Sequence, residues 1–337
     1  MTVPPFPAHL PEPILVLGAY GYRNVGDEAI LAGLLRQLDS GVKVSVISRS
    51  PAETQAILGV RSVGISSALA ELRRHRSLLI GGGGLFGRDM GALGRLVAPF
   101  GVTAAAMGRT VAIAGVGVES ELPMTTIAAL RLLARRAVSI TVRDRHSQSL
   151  LSGWGIESAL TEDLSESMPP GTRKDARGIL RAAGLESGRP IVGLCLTDVG
   201  QGSSGLLEKA VAELVDAFPE AQFCFIPMSQ HPFVPAHNDL LPGHRLRAAS
   251  PRIAVLDGHH HPADVLAIFP LLAAAVCMRF HALLFSARAG IPIVAIPYAE
   301  KCQTWLDEHK IAATAPRGPD LVAAVRAALE GALAWSA

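Results

Sequence analysis

Short apolar runs that stop at a glycine or a polar turn, each followed by a longer amphipathic stretch, recur along almost the whole chain. A run that is apolar on both faces suits a buried parallel strand, and the amphipathic stretch suits a helix covering it, so the predicted class is α/β. In the first half the strands are expected at Ile14 to Leu17, Val42 to Ile47, Ser77 to Ile80, Thr110 to Val116 and Ser139 to Val142. Helices are expected near Asp27 to Leu38, Leu93 to Met107, Thr125 to Arg136 and His146 to Gly153. The second half repeats the pattern, with strands at Ile191 to Leu196, Gln222 to Ile226, Ile253 to Leu256, Ala274 to Cys277 and Ile293 to Ile296. Its helices are expected near Leu206 to Phe218, Pro262 to Leu272 and His281 to Ala289.

Between the halves, SESMPPGTRK from Ser165 to Lys174 loses the period and gains proline, glycine and charge, as an interdomain boundary does. With 337 residues, 49% of them hydrophobic, the chain can build two buried cores, expected over 1–167 and 168–337. Two Rossmann-like, doubly wound domains facing across a cleft make a GT-B-like architecture. Ligands of such sheets gather outside the carboxyl ends of the strands.

Charge and cysteine usage remove several function classes. The 31 Lys and Arg nearly balance 29 Asp and Glu, leaving no net field to hold nucleic acid, so any anion site must be local. Cys195, Cys224, Cys277 and Cys302 show no zinc or disulfide spacing, and the expected compartment is a reduced cytoplasm. The opening MTVPPFPAHLPEP has no Lys or Arg ahead of its weak apolar part, so a flexible leader is expected rather than a secretory signal. His259-His260-His261 precedes Pro262, but adjacent imidazoles on one loop do not all face one ion, and no metal is expected.

The polar residues that remain stand at predicted strand ends. The first strand runs into Gly18-Ala19-Tyr20-Gly21-Tyr22-Arg23-Asn24-Val25-Gly26-Asp27-Glu28. Two readings stand for it: a tight turn capped by Asp27, or a loop whose backbone, Asn24 and exposed Tyr20 and Tyr22 meet a ligand. Gly81-Gly82-Gly83-Gly84 follows the third strand as a loop that passes close either to a ligand or to a neighbouring helix. The fifth strand ends at Arg143, which presents a cation at the rim or pairs with Asp144 or Asp163. In the second half, Gln230 and His231 close one strand, Arg279-Phe280-His281 another, and Lys301 follows a third. Arg143, Arg279 and Lys301 at strand ends of a nearly neutral chain suit a substrate of high anionic charge density, with His281 able to move a proton near neutral pH.

The set of motifs resembles the polysaccharide pyruvyl transferase family, of the CsaB or WcaK type. The matching pieces are GAYGYRNVGDEAIL at Gly18 to Leu31, GGGGLF at Gly81 to Phe86, VRD at Val142 to Asp144, PMSQH at Pro227 to His231, and MRFHALLFSARAGIPIVAIPYAEK at Met278 to Lys301. Where the family usually carries R-L-H, this chain has Arg279-Phe280-His281. The resemblance implies transfer of pyruvate from phosphoenolpyruvate to a hexose of a cell-wall or exopolysaccharide precursor, such as lipid-linked N-acetylmannosamine. The products are a cyclic ketal and phosphate, with no cofactor. It implies catalytic roles for His281, Arg279, Lys301 and Arg143, and substrate contacts from Tyr20, Tyr22, Asn24, Asp27, Gly82, Gly83, Gln230, His231 and Phe280. A lipid-linked acceptor would put the chain in peripheral contact with the inner face of the cell membrane; the basic stretches Arg73, Arg74, Arg76 and Arg131, Arg135, Arg136 either rest on such a surface or, as is more common, are merely solvated.

Three other readings compete. A nucleotide-sugar glycosyltransferase of the same architecture would need a ribose-binding acid and a base-stacking aromatic, neither of which stands out. A sugar-binding domain without turnover would not need Arg143, Arg279, His281 and Lys301 together. A nicotinamide-dependent dehydrogenase would need G-x-G-x-x-G spacing, which the first turn lacks.

Overall fold

The computed structural model describes residues 10–87, 91–186, 188–198 and 205–335; the first nine residues of the expected leader lie outside them. The chain forms two compact units, one of 1–22 and 26–169, the other of 23–25 and 170–337.

The first unit carries β1 (Ile14–Leu17), α1 (Val25–Gln37), β2 (Val44–Ser48), α2 (Pro51–Leu58), β3 (Ser62–Gly64) and α3 (Ala68–Arg74). These are followed by β4 (Ser77–Phe86), α4 (Gly91–Ala106), β5 (Thr110–Val118), α5 (Met124–Ala134), β6 (Ser139–Val142), α6 (Arg145–Gly153) and β7 (Ala159–Leu160). The sheet order is β3-β2-β1-β4-β5-β6-β7, every pair parallel. Successive residues of a strand point to opposite faces, and here both faces are apolar. Ile14 and Val16 of β1 pack with Ile30, Leu31 and Leu34 of α1, while Leu15 and Leu17 join Val97, Leu130 and Leu133 beneath α4 and α5.

The second unit carries α7 (Arg173–Ala182), β8 (Ile191–Cys195), α8 (Leu206–Ala217), β9 (Gln222–Phe225), α9 (Leu240–Ala249) and β10 (Ile253–Val255). After them come α10 (Pro262–Ile268), β11 (Ala274–Cys277), α11 (Phe280–Ala289), β12 (Ile293–Ala295), α12 (Glu300–His309) and α13 (Gly318–Trp335). Its parallel order, β10-β9-β8-β11-β12, repeats the first five positions of the other sheet. Val192, Leu194 and Leu196 pack with Val211 and Leu214 of α8 and Leu321 and Val325 of α13. The four cysteines are all buried thiols of this unit. In both sheets the order reverses beside the first strand, between β1 and β4 and between β8 and β11, where doubly wound folds open a crevice at the carboxyl edge.

Helix starts follow local chemistry. Asp144 accepts the Ser147 amide at 2.6 Å to cap α6, Thr172 accepts that of Asp175 at 3.1 Å to cap α7, and Pro262 opens α10 behind His261, whose Nδ1 accepts the Ala263 amide at 3.1 Å. One of the three imidazoles of the histidine triplet, that of His261, is thus used as a cap. Among the described residues, no group of three or more His, Cys, Asp and Glu is placed to hold a metal, and no helix is long and apolar enough to cross a membrane.

Two details differ from expectation. The four-glycine run is not a loop after a short strand: β4 continues through it to Phe86. Gly81 and Gly82 lie directly under α1, where a Cβ would stand 2.3 Å from Leu34 Cδ1 and 1.9 Å from Ile30 Cγ2, so the close neighbour is the helix. And Asp27 is the third residue of α1, in its first turn, rather than the cap ahead of it.

Candidate functional site

At the reversal point of the second sheet the carboxyl ends of four strands are tied by one ion pair. Arg279 follows β11 in extended conformation (φ −73°, ψ 137°) and its carbonyl accepts the Ala282 and Leu283 amides at 3.0 and 3.2 Å, so it begins α11. Its side chain turns to Asp239, with Nε on Oδ2 at 3.0 Å and Nη2 on Oδ1 at 2.5 Å, a two-pronged contact. Asp239 is fully buried and also accepts the Ser229 amide beyond β9 at 3.0 Å and the Thr197 hydroxyl beyond β8. The remaining Arg279 nitrogen, Nη1, lies 3.4 Å from the Tyr298 hydroxyl beyond β12, whose ring sits under the guanidinium.

Burial pushes the Asp239 carboxyl above the usual carboxylate range, against the pull of Arg279, Thr197 and the Ser229 amide. Burial also works against the charge of Arg279, but Asp239 and Tyr298 outweigh it and hold the guanidinium above its ordinary value. Four donors, two of them from a guanidinium, meet on that one carboxylate.

His281 stands in the first turn of α11, half-buried between the rings of Phe280 (5.5 Å between centroids) and Phe285 (6.3 Å). Lys301 occupies the first turn of α12, half-buried, three residues after Tyr298. Because β11 and β12 are paired neighbours, both helices start at the same edge.

Gln230 and His231 extend this edge beyond β9. The Gln230 amide donates to the Arg23 carbonyl at 2.9 Å, Asn24 bridges Ser229, and the Val25 amide donates to the Met228 carbonyl at 2.9 Å. The Gln230 side chain donates to the Gly258 carbonyl at 2.6 Å. His231 Nδ1 accepts the amides of Phe233 (3.1 Å) and Val234 (3.0 Å), which fixes a turn and leaves Phe233 exposed.

The reversal point of the first sheet is filled differently. Tyr20, expected to be exposed, is buried to 1% and donates its hydroxyl to the Gly81 carbonyl at 2.8 Å, crossing from the end of β1 to β4. Burial, with Asp27 nearby, pushes its pKa far up, so it stays a neutral donor. Gly83 (φ 76°) faces Asp27 Oδ1, 2.8 Å from where its Cβ would be, and Gly82 (φ 55°) faces Ile30. Tyr22 remains half-buried. Arg143 does not present a free cation at the rim: its side chain is 4% exposed, lies over Gly117 and pairs with Asp163 at 3.1 Å and Asp144 at 3.6 Å. A buried guanidinium requires such partners.

Arg279, His281, Phe280 and Lys301 thus share the edge of the second sheet with Asn24, Gln230 and His231, while Tyr20, Tyr22, Asp27, Gly82, Gly83 and Arg143 belong to the first unit. The residues missed by sequence are Asp239 and Thr197, which lie in none of the recognised motifs; Tyr298 stands within the last of them.

The fold has solved counterparts. Anabaena HepE in complex with UDP and glucose superposes with a TM-score of 0.65 at 12% identity over 96% of this chain and 90% of that one. UDP-GlcNAc 2-epimerase from Neisseria meningitidis bound to UDP-GlcNAc gives 0.63 at 10% identity, covering 94% and 91%; the putative UDP-N-acetylglucosamine 2-epimerase from Listeria monocytogenes gives 0.64 at 10%, covering 94% and 87%. At such identities the likeness shows the fold alone, which is of the GT-B type. No curated protein matches the sequence. The polysaccharide pyruvyl transferase family pattern, however, matches residues 24–300, which include Arg279 and His281 and end one residue before Lys301, and the chain belongs to that family.

Proposed function

We propose that this chain moves pyruvate from phosphoenolpyruvate to a hexose of a cell-wall or exopolysaccharide precursor, forming a cyclic ketal and releasing phosphate. Besides membership of the family, one observation carries the reading: α11 and α12 begin side by side at the ends of β11 and β12, with His281 in the first turn of one and Lys301 in the first turn of the other. Helix N-termini attract anions, and a lysine beside them adds a full charge, which suits a donor bearing phosphate and carboxylate. His281 then serves as the proton carrier.

In this scheme a proton adds to the methylene carbon of the donor, and one sugar hydroxyl attacks the cationic carbon and loses its proton. The C–O bond to phosphate breaks, phosphate departs with its electron pair, and a second hydroxyl closes the ketal as it loses its proton. General acid–base catalysis by one side chain contributes about 10²- to 10⁴-fold.

Purified wild type and His281→Ala are incubated with phosphoenolpyruvate and a panel of N-acetylmannosamine and galactose acceptors, lipid-linked and synthetic. Phosphate release matched to a pyruvyl-ketal mass gain, and its loss in the variant, is expected. No turnover with any acceptor and no thermal stabilisation by phosphoenolpyruvate would overturn the donor assignment and bring the nucleotide-sugar reading forward.

A further inference from the structure

We infer that Asp239 is a positioning residue for this transfer, acting through Arg279 to fix the first turn of α11 and the His281 imidazole on it; the inference rests on the proposed function. The links are short and buried. Asp239 takes donors from beyond β8 (Thr197), from beyond β9 (Ser229) and, through two guanidinium nitrogens, from beyond β11. It is anchored at its own backbone too, its amide donating to the Ser229 carbonyl at 2.8 Å. Arg279 in turn is the carbonyl on which α11 starts, so holding its side chain holds the residue that sets the helix origin, and His281 follows two positions on.

The geometry also limits what Arg279 does directly. Nε and Nη2 are engaged by Asp239 and Nη1 is shared with Tyr298, so Arg279 acts as a planar fork that locks strand ends rather than as a free charge for the donor phosphate. A lysine in its place would keep the charge and lose the fork. Anion attraction is left to Lys301 and the two helix starts.

The test uses the full chain with phosphoenolpyruvate and the best acceptor. Asp239→Asn keeps the size but offers an amide where the guanidinium needs an acceptor. It is expected to lower kcat by about 100-fold, the scale of a misplacement near 1 Å, with the KM for phosphoenolpyruvate little changed. Arg279→Lys is expected to lose kcat similarly, and Tyr298→Phe, the mildest change and the fallback should Asp239→Asn fail to fold, to lose less. Independently of turnover, the His281 ring signals in proton NMR, assigned by their loss in His281→Gln, should broaden or split in Asp239→Asn. A rise in KM alone, wild-type kcat in Arg279→Lys, or unmoved His281 signals would overturn the inference. If wild type proves inert with every acceptor while the His281 signals still respond to Asp239→Asn, the reaction is wrong and the positioning stands.

Discussion

The reversal points of the two sheets occupy the same topological place and are built from opposite materials. Between β1 and β4 the place is filled by the Tyr20 hydroxyl on a glycine carbonyl, with glycines pressed under α1. Between β8 and β11 it holds a buried ion pair, with a histidine and a lysine on the helices that leave the sheet. Each unit also owns a buried Arg–Asp pair. Arg143 meets Asp163 through Nη1 and lies on glycine backbone, whereas Arg279 grips Asp239 through Nε and Nη2 and starts a helix. The same chemistry therefore lies on glycine backbone at one edge and joins the ends of four strands at the other.

The comparison breaks most visibly at Arg143. Arg143→Met takes the guanidinium away from the buried Asp163 carboxylate and is expected to cost about 3–5 kcal/mol in urea unfolding, with phosphoenolpyruvate binding by the folded protein unchanged. Binding lost with stability intact would make the first edge a site as well. Gly82→Ala comes next: left-handed backbone and a methyl driven into Ile30 together cost about 2–4 kcal/mol. Gly59→Ala, equally left-handed (φ 66°) but with open space around it, isolates the backbone share and should cost about 1–2 kcal/mol. Tyr20→Phe leaves the Gly81 carbonyl without its hydroxyl donor and should cost about 1 kcal/mol, with donor affinity unmoved.

The smallest effect is expected at the second edge. Burial and the neighbouring His237 hold His231 below the ordinary histidine value, as its acceptor role toward Phe233 and Val234 requires. Folded His231 binds fewer protons than unfolded, so its contribution is full above the unfolded value of about 6.5 and fades as pH falls through the lower folded one. Protection of the Phe233 and Val234 amides against hydrogen exchange, taken relative to the intrinsic rate at each pH, should fall from pH 7 to pH 5; protection that stays flat would show that the turn does not depend on neutral His231.

What sequence could tell follows the reach of each interaction. Strands such as Ile14–Leu17 and Ala274–Cys277 are legible because burial on both faces leaves an unbroken apolar run. The outer strands β3 and β7, of three and two residues, leave no such run. The start of α7 falls within the stretch taken as a boundary, since its strongly charged face hides the two residues it buries, Ala176 and Leu180. At the site, Arg279, His281 and Lys301 are local to strand ends and stand out. Asp239 does not, because its partner lies 40 positions away and only the sheet order brings them together. Tyr20 misleads for the same reason, its partner being 61 positions on.

The placing of the thiols has a practical consequence. Cys195, Cys224, Cys277 and Cys302 sit on β8, β9, β11 and α12, and the other unit has no cysteine. A thiol-reactive probe applied to the native protein therefore reports openings of the second unit alone. Phosphoenolpyruvate that binds there should slow the labelling, and the silent half serves as its own internal blank.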